Sequence, residues 1–443
     1  MNQASQSDQG RETSRRSFLK ASGVAVPATA ITGLAGNAAG YVAASDVIRI
    51  GMIGCGGRNT EAGGQALTAD KGAKLVAMAD VMLDRIQERR SQLKVKFQDQ
   101  VAVDDDHCFA GLDGYKKVIE SVDVVLIANA AKFHPMHMMA AIQAGKHVFV
   151  EKPHAIDPAG IKVVKAAAEL ARKKNLSVLS GLQSRYTTMY QEAIKRVHDG
   201  AIGDIVSIEE RYFRAPYVLR PRKPGVSEVE HQAANQYHFH WLCGDDVPQT
   251  LIHNLDRSSW AMRNTAPVRA WGMGGRSTLH GEIYGDVFDH HSVVYEFASG
   301  VKIYAYCRTI DNCYNENSSL ILGTKGRCDL LRLRIQGETN WQHPPSPGRN
   351  NPYDLEHVAL FEAIRSGKPV NCGDYMVRST LITLMGQFSC YSGKQVNWDE
   401  ISNSTYFHAP KPEDVRADME PPVRPGADGS YPVFFKPGVS KLL

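Results

Sequence analysis

Between Val47 and about Gly181, short apolar runs alternate with longer segments of helical periodicity. The runs are Val47 to Ile53, Leu75 to Ala79, Val122 to Ala128, His147 to Val150 and Leu176 to Ser180. Strand-length apolar runs separated by helices predict a parallel sheet with helices on both faces. Two of the helices announce their ends. Pro135 to Ala144 carries Met138, Met139 and Ile142 at helical spacing and is followed by Gly145, a C-terminal stop. Pro158 opens another, with Val163, Val164, Ala167, Leu170 and Ala171 forming its apolar face.

After Gly181 the period changes. Ile205 to Phe213 alternates apolar and polar positions, and Val293 to Phe297 and Val301 to Tyr306 flank the turn Ala298-Ser299-Gly300. Ser319 to Leu322 pairs with Cys328 to Ile335 across Gly323-Thr324-Lys325-Gly326. Hairpins without intervening helices predict an antiparallel sheet, and hence a second domain of α+β type. From about Asn397 the chain is rich in Pro, Gly and charge, which predicts an extended tail laid over the surface or reaching a neighbouring subunit. The expected organisation is a leader at 1–44, an α/β domain at 45–183, an α+β domain with a large, mostly antiparallel sheet at 184–396, and the tail at 397–443. No internal repeat is present.

Composition narrows the function. The 443 residues carry 51 Lys and Arg against 47 Asp and Glu, a formal charge of +4 that lies partly in the leader. No basic face argues for nucleic acid or anionic lipid. Cysteines at 55, 108, 243, 307, 313, 328, 372 and 390 show neither Cys-x-x-Cys pairs nor metal-finger spacing. They read as buried thiols, with one or two disulfides open to them in an oxidising compartment.

The leader contains Ser14-Arg15-Arg16-Ser17-Phe18-Leu19-Lys20, a twin-arginine export signal. Ala21 to Ala44 follows, broken by Gly23, Pro27, Gly33, Gly36 and Gly40. A bilayer span needs about 20 strongly apolar residues, so this stretch reads as a weak signal core, cleaved near Ala38-Ala39 or Ala43-Ala44 or retained as a weak anchor. The expectation is a periplasmic protein exported already folded, a route that suits a chain folding around a cofactor.

The first chemical motif is Ile50-Gly51-Met52-Ile53-Gly54-Cys55-Gly56-Gly57-Arg58-Asn59, a strand running through glycines into a helix. Gly54 permits the tight turn, and Gly56 removes the side chain that would hold a pyrophosphate away from the helix N-terminus. Asn59 stands where a third glycine is usual, with Gly57 as a compensating neighbour; Gly54, Gly56, Gly57, Arg58 and Asn59 form the candidate cofactor turn. The second strand ends in Asp80, placed to accept hydrogen bonds from ribose hydroxyls and to repel a 2′-phosphate. Val81-Met82-Leu83 supplies no arginine clamp, so NAD is expected over NADP.

The second motif, Gly145-Lys146-His147-Val148-Phe149-Val150-Glu151-Lys152-Pro153, resembles the Gfo/Idh/MocA oxidoreductase family over about residues 47–395. That resemblance implies a Rossmann domain followed by the α+β domain, with Glu151 and Lys152 at the junction of cofactor and substrate. An ammonium beside a hydroxyl under oxidation stabilises developing alkoxide and relays its proton. The family's helix histidine matches His253, in the stretch running from Trp241 to Trp260. An imidazole suits removal of a hydroxyl proton. Relatives often place an acid one turn earlier, where this chain has Gln249, so carboxylate assistance would come from Asp256 or Asp246. Lys152 and His253 are the expected catalytic residues.

Asn129 and His134 lie where relatives contact ribose and nicotinamide, and His154, Gln183, Arg185 and Tyr186 follow strand ends and would face substrate. Tyr212, Tyr237, His238, His240 and Trp241 would shape a carbohydrate pocket, since sugar faces stack on rings. His134 with His137, Asp104-Asp105-Asp106-His107 and Asp289-His290-His291 imitate ligand runs, but core or capping roles suit the first and solvated loop charge the others, so no metal is expected.

The resemblance therefore implies hydride transfer between a sugar, polyol or glycoside carbon and tightly held NAD, in a homo-oligomer, dimer or tetramer, that meets the twin-arginine machinery during export. A redox-neutral glycoside hydrolase or lyase working through a 3-keto intermediate is the alternative chemistry. A non-catalytic carbohydrate-binding protein on the same fold is the alternative class, supported by Gln249 and opposed by the retention of Lys152 and His253.

Overall fold

The computed structural model describes residues 47–281, 284–344 and 351–443, so the export-signal reading of 1–44 lies outside the described residues. The first sheet has six parallel strands: β1 (Ile48–Ile53), β2 (Ala73–Asp80), β3 (Cys108–Ala110), β4 (Val124–Ile127), β5 (His147–Val150) and β6 (Val178–Ser180), in the order β3-β2-β1-β4-β5-β6. Its crossovers carry α1 (Gly57–Ala69), α2 (Leu83–Phe97), α3 (Gly114–Ser121), α4 (His134–Gln143) and α5 (Pro158–Lys173). The order reverses between β1 and β4, the point at which a doubly wound sheet opens a crevice at its strand C-termini. Every residue of β4 and β5 is buried, as a sheet covered on both faces requires.

Helix α6 (Thr188–His198) leads to β7 (Ile205–Arg214), after which α7 (Glu228–Ala234), the single turn α8 (His240–Cys243), a π-helical segment (Val247–Leu251) and α9 (Ile252–Ala261) follow. The second sheet adds β8 (Arg269–Gly275), β9 (His290–Glu296), β10 (Lys302–Thr309), β11 (Glu316–Gly323), β12 (Gly326–Asp329), β13 (Arg334–Gly337) and β14 (Trp341–Gln342). Helices α10 (Pro352–Ser366) and α11 (Gly373–Ser392) precede β15 (Val396–Asn397) and α12 (Trp398–Asn403). The nine strands run β14-β13-β12-β11-β7-β10-β9-β8-β15, all antiparallel except the pair β7 and β10. Helix α11 packs on β8 and β9 on one side and on α5 and β6 on the other, joining the two sheets through one core.

Several expectations change in detail. Cys328 to Ile335 is not one strand: β12 turns at Leu333, whose φ of +54° breaks the run, and β13 starts at Arg334. The strand β8 has glycines where side chains would signal it, because a Cβ at Gly272 would sit 3.1 Å from Cys390 Sγ and Ser389 Oγ of α11. The Asp289-His290-His291 run is not solvated loop. Asp289 is buried and accepts N–H groups from Ser277, Thr278 and Leu279, and His291 is buried on β9. All eight cysteines are unpaired, six of them buried. The tail beyond 403 lies over its own chain: His408 N donates to Asp157 (3.1 Å), Lys132 Nζ donates to the His408 carbonyl (2.6 Å), and Phe435 stacks on Tyr391 (4.0 Å).

Candidate active site

The crevice at the β1/β4 switch opens into a cavity of about 310 Å³ lined by Gly54, Gly56, Asp80 and Asn129. Gly54 has φ +86°, and a Cβ there would meet the Asn129 backbone at 2.7 Å, so only glycine closes this turn. Around Gly56 and Gly57 a Cβ would find open space. Gly56 caps α1 without a side-chain hydrogen bond, which leaves the first helical N–H groups free to meet an anion. Asp80 Oδ2 accepts from Cys55 N (2.7 Å) and Oδ1 from Met82 N (3.2 Å), which fixes the carboxylate at the rim where ribose hydroxyls would donate to it. Arg85 Nη1 lies 3.5 Å from that carboxylate, a cation two positions past the stretch in which no arginine was expected. Asn129 Oδ1 is buried in the same cavity without a partner. Open glycine turn, free helix terminus, rim carboxylate and orphaned amide oxygen together fit a dinucleotide.

Where β5 ends, Lys152 reaches across to the second domain and donates from Nζ to the Gln249 carbonyl (2.8 Å). Gln249 lies in the π-helical segment one turn before His253, so this irregular turn carries both groups toward Lys152, a common placement for π-bulges at functional sites. Burial pulls the Lys152 ammonium below the usual lysine range, with Arg214 and Arg58 adding to the effect against Glu151 and Tyr212. His253 is held well below the ordinary histidine value by burial first and then by the Lys152, Arg257 and Arg58 charges, so it is uncharged at neutral pH. Its Nδ1 and the Oε1 of Gln249 have no partner.

Other expected site residues are placed differently. Asn59 is fully buried and donates to the carbonyls of Ile53, Gly54 and Leu126; it ties β1 to β4 in place of close glycine packing and does not face a cofactor. Glu151 is buried between Arg58 Nε (2.6 Å) and the Lys152 backbone N (3.0 Å), so it braces the Arg58 guanidinium against the Lys152 backbone and does not line the crevice. Arg58 also lies over the Tyr353 ring at 4.7 Å. His134 is buried with both ring nitrogens against carbonyls, Pro153 at 2.8 Å and Asn129 at 3.0 Å, a strut between the loops after β4 and β5 and not a nicotinamide contact.

The substrate set shrinks most. His154 is fully buried between Thr380 and Ser180, its pKa pushed down to about 3 by burial. Arg185 clasps Asp256 with Nε and Nη2, and Ser379 Oγ completes that buried carboxylate at 2.7 Å, so neither faces substrate and Asp256 does not assist His253. Asp246 is likewise taken by Arg214 and Thr250. The Tyr186 hydroxyl contacts Cys372 Sγ at 3.5 Å, and Trp241 is fully buried with Nε1 on Gln232 Oε1 (2.7 Å). His238 and His240 are buried too, the latter paired with Asp286. Gln183 remains half-buried near Arg58, donating to the Tyr353 hydroxyl with its own carbonyl oxygen unpartnered.

Two residues that sequence reasoning missed, Arg214 and Tyr217, join the expected Tyr237 and Asp246 near the Gln249 carbonyl that Lys152 holds. Tyr217 stacks on Tyr237 at 4.1 Å and on the Arg214 guanidinium at 3.6 Å, and with Asp246 and Gln249 they enclose a cavity of about 10 Å³, room for about one water. Nothing in their spacing marked them, because Arg214 ends a strand and Tyr217 sits in the loop after it.

Residues 48–180 match the model of the Gfo/Idh/MocA oxidoreductase family, NAD-binding Rossmann fold. The inositol 2-dehydrogenase/D-chiro-inositol 3-dehydrogenase of Halalkalibacterium halodurans is 29% identical over 214 residues, 48% of this chain and 52% of that protein. The chain thus spans about half the length of that curated relative. An inositol 2-dehydrogenase of Burkholderia cenocepacia is 29% identical over 335 residues, 72% of this chain and 87% of its own. Two solved structures share the fold: levoglucosan dehydrogenase complexed with NADH and levoglucosan (TM-score 0.62, 18% identical, 80% of this chain and 99% of that one), and the aldose-aldose oxidoreductase of Caulobacter crescentus (TM-score 0.61, 19% identical, 79% and 99%). About a fifth of this chain has no counterpart in either, twice the share of the 46 residues before Val47.

Proposed function

We propose that this chain, whose residues 48–180 are the NAD-binding Rossmann domain of a Gfo/Idh/MocA oxidoreductase, is an NAD-dependent dehydrogenase acting on a CH–OH group of a sugar, polyol or glycoside. The observation that carries the reading is the dinucleotide crevice at the β1/β4 switch together with Lys152, at the end of the neighbouring strand β5, bonded to the Gln249 carbonyl one turn before His253. Held by Gly54, Gly56, Asp80 and Asn129, bound NAD would supply the hydride acceptor. The chain's part is to manage the proton. His253, held neutral, takes the proton of the substrate hydroxyl as hydride leaves the same carbon, and the carbonyl product forms. Lys152 keeps one N–H on the Gln249 carbonyl, which aims its remaining N–H bonds at the oxygen where negative charge develops. Glu151 and Arg58 hold the Lys152 backbone in place.

The twin-arginine signal supports a periplasmic site of action, where free NAD is not regenerated, so each cycle would return the cofactor to its starting state. Coupled oxidation of one sugar and reduction of another does so. So does oxidation, elimination, water addition and re-reduction on a glycoside. Exposed Met273 and Tyr304 on the outer face of the nine-stranded sheet support a homo-oligomer built through that face.

The test is to denature purified protein and identify released nucleotide by mass spectrometry, before and after incubation with inositols, aldoses and glycosides. Stoichiometric NAD, converted to NADH by one sugar class, is expected, and Lys152→Met should abolish the conversion while leaving nucleotide bound. Protein with no nucleotide and no affinity for added NAD would sink the reading.

A further inference from the structure

The dinucleotide crevice of a doubly wound sheet is ordinarily an open groove. Here one wall of the cavity comes from the other end of the chain. Pro412, Glu413, Val415 and Arg416 line it together with Gly54, Asp80 and Asn129, and with Glu230 and Ala234 of α7. We propose that residues 412–416 are part of the dinucleotide site, a strap over its adenosine half that retains NAD between turnovers; the inference rests on the NAD reading and extends it.

The strap is fastened on both sides of the crevice. Upstream, His408 is held by Asp157 and by Lys132, whose buried ammonium is pulled down to about 8 by burial. Val415 is buried in the same apolar cluster as Ala130 and Phe133, which directly follow the β4 strand end, and as Phe239 and Trp241 of the second domain. Downstream, Val423 accepts from Gln232 Nε2 (2.8 Å), and the Tyr431 hydroxyl bonds Glu228, so the chain is pinned again to α7. Between these anchors lies a short turn at Pro412–Asp414, and Pro412 and Val415 line the cavity together with Leu112, Phe133 and Met136. That is an apolar slot of the kind that takes a flat base. The charged Glu413 and Arg416 stay exposed at the rim. A nucleotide with its pyrophosphate at Gly56 and its ribose at Asp80 would have its base under this turn, and could leave only after Val415 had come out of its apolar seat.

Two measurements test this. In hydrogen–deuterium exchange, saturating NAD should slow the amides of residues 411–419 and leave those of 434–443, fastened to α11, unchanged. In stopped-flow chase of bound NADH by excess NAD, Val415→Ser should release NADH roughly tenfold faster or more than the unaltered protein. The double variant Glu413→Ala/Arg416→Ala, confined to exposed side chains, keeps the test open should Val415→Ser fail to fold, and should speed release in the same direction. Unchanged exchange at 411–419, or release rates within about twofold of each other, would overturn the strap while leaving NAD binding intact. A protein binding neither NAD nor NADH would overturn both the strap and the reading beneath it.

Discussion

Glu356 offers the sharpest test of the electrostatics under the catalytic turn. It sits on α10 with no exposed surface, and neither carboxyl oxygen has a hydrogen-bond partner. The nearest cation, Arg58, is committed to Glu151 at 2.6 Å. Burial, and then the Glu151 charge, push Glu356 well above its ordinary value of 4.5, with Arg58 opposing them too weakly to prevent it. The folded protein therefore holds a proton at Glu356 that the unfolded chain gives up above about pH 4.5. Between those two values the native state binds one proton more than the unfolded state, so stability falls as pH rises, by about 1.4 kcal/mol per unit. Glutamine has nearly the same shape and cannot ionise. The stability of Glu356→Gln relative to the parent should therefore climb with pH, gaining about 2.7 kcal/mol between pH 5.5 and 7.5 if Glu356 stays protonated throughout. Urea unfolding of both proteins at pH 5.5, 6.5 and 7.5 measures it, and taking the difference cancels the other titrating groups. A difference that is flat or falls with pH would show that Glu356 is ionised in the fold and shares Arg58 with Glu151, and the reasoning would fail.

Three further outcomes follow from the geometry. His253→Asn should lower kcat by about 10²- to 10⁴-fold with little change in NAD binding, and should remove the acid limb of the pH–rate profile, which in the parent lies below the usual histidine range; an intact acid limb would assign the base elsewhere. Asp80→Ala should weaken NAD binding about 10- to 100-fold, the worth of a charge-assisted hydrogen bond, and narrow the preference over NADP because Arg85 is then left without its carboxylate; titration of both nucleotides by fluorescence reads it, and an unchanged ratio would count against Asp80 as the selector. Arg185→Ala should cost about 3–5 kcal/mol by stranding the buried Asp256 carboxylate, while the activity of the molecules that remain folded stays near that of the parent; a selective rise in KM with normal stability would restore Arg185 to the substrate site.

Much of the first sheet was legible because its strands are buried on both faces and so read as unbroken apolar runs between capped helices. His147 to Val150 and the helix opening at Pro158 are observed with those starts. In the second sheet, side-chain alternation showed β7, β9, β10 and β11, but alternation carries no direction, so the parallel pairing of β7 with β10 was invisible. The strand β8 was lost for a different reason. Its glycines exist to admit α11, and a strand chosen for what must approach it has little side-chain pattern to display.

In the site, the same physical fact explains both what was legible and what was misassigned. Gly54, Gly56, Asp80 and Lys152 each stand at a fixed place in a βα turn, and a turn is a local object that sequence spacing describes. His154, Arg185 and Tyr186 also follow strand ends, but whether such a residue faces solvent depends on what covers it, and here α9 and α11 arrive from 71 to 226 positions away to do so. Once covered, a polar side chain is stable only with its partners made, and these three have theirs. Buried atoms without partners near the crevice, Lys152 or the Arg58 pair include Asn129 Oδ1, Gln249 Oε1, His253 Nδ1 and Gln183 Oε1, while others, such as Ser177 Oγ and Tyr295 Oη, lie elsewhere in the described residues. Leaving such groups unpaired in a buried setting costs stability, of order 1–3 kcal/mol each. Those beside the crevice and Lys152 are positions at which a ligand with hydroxyl donors would gain by binding.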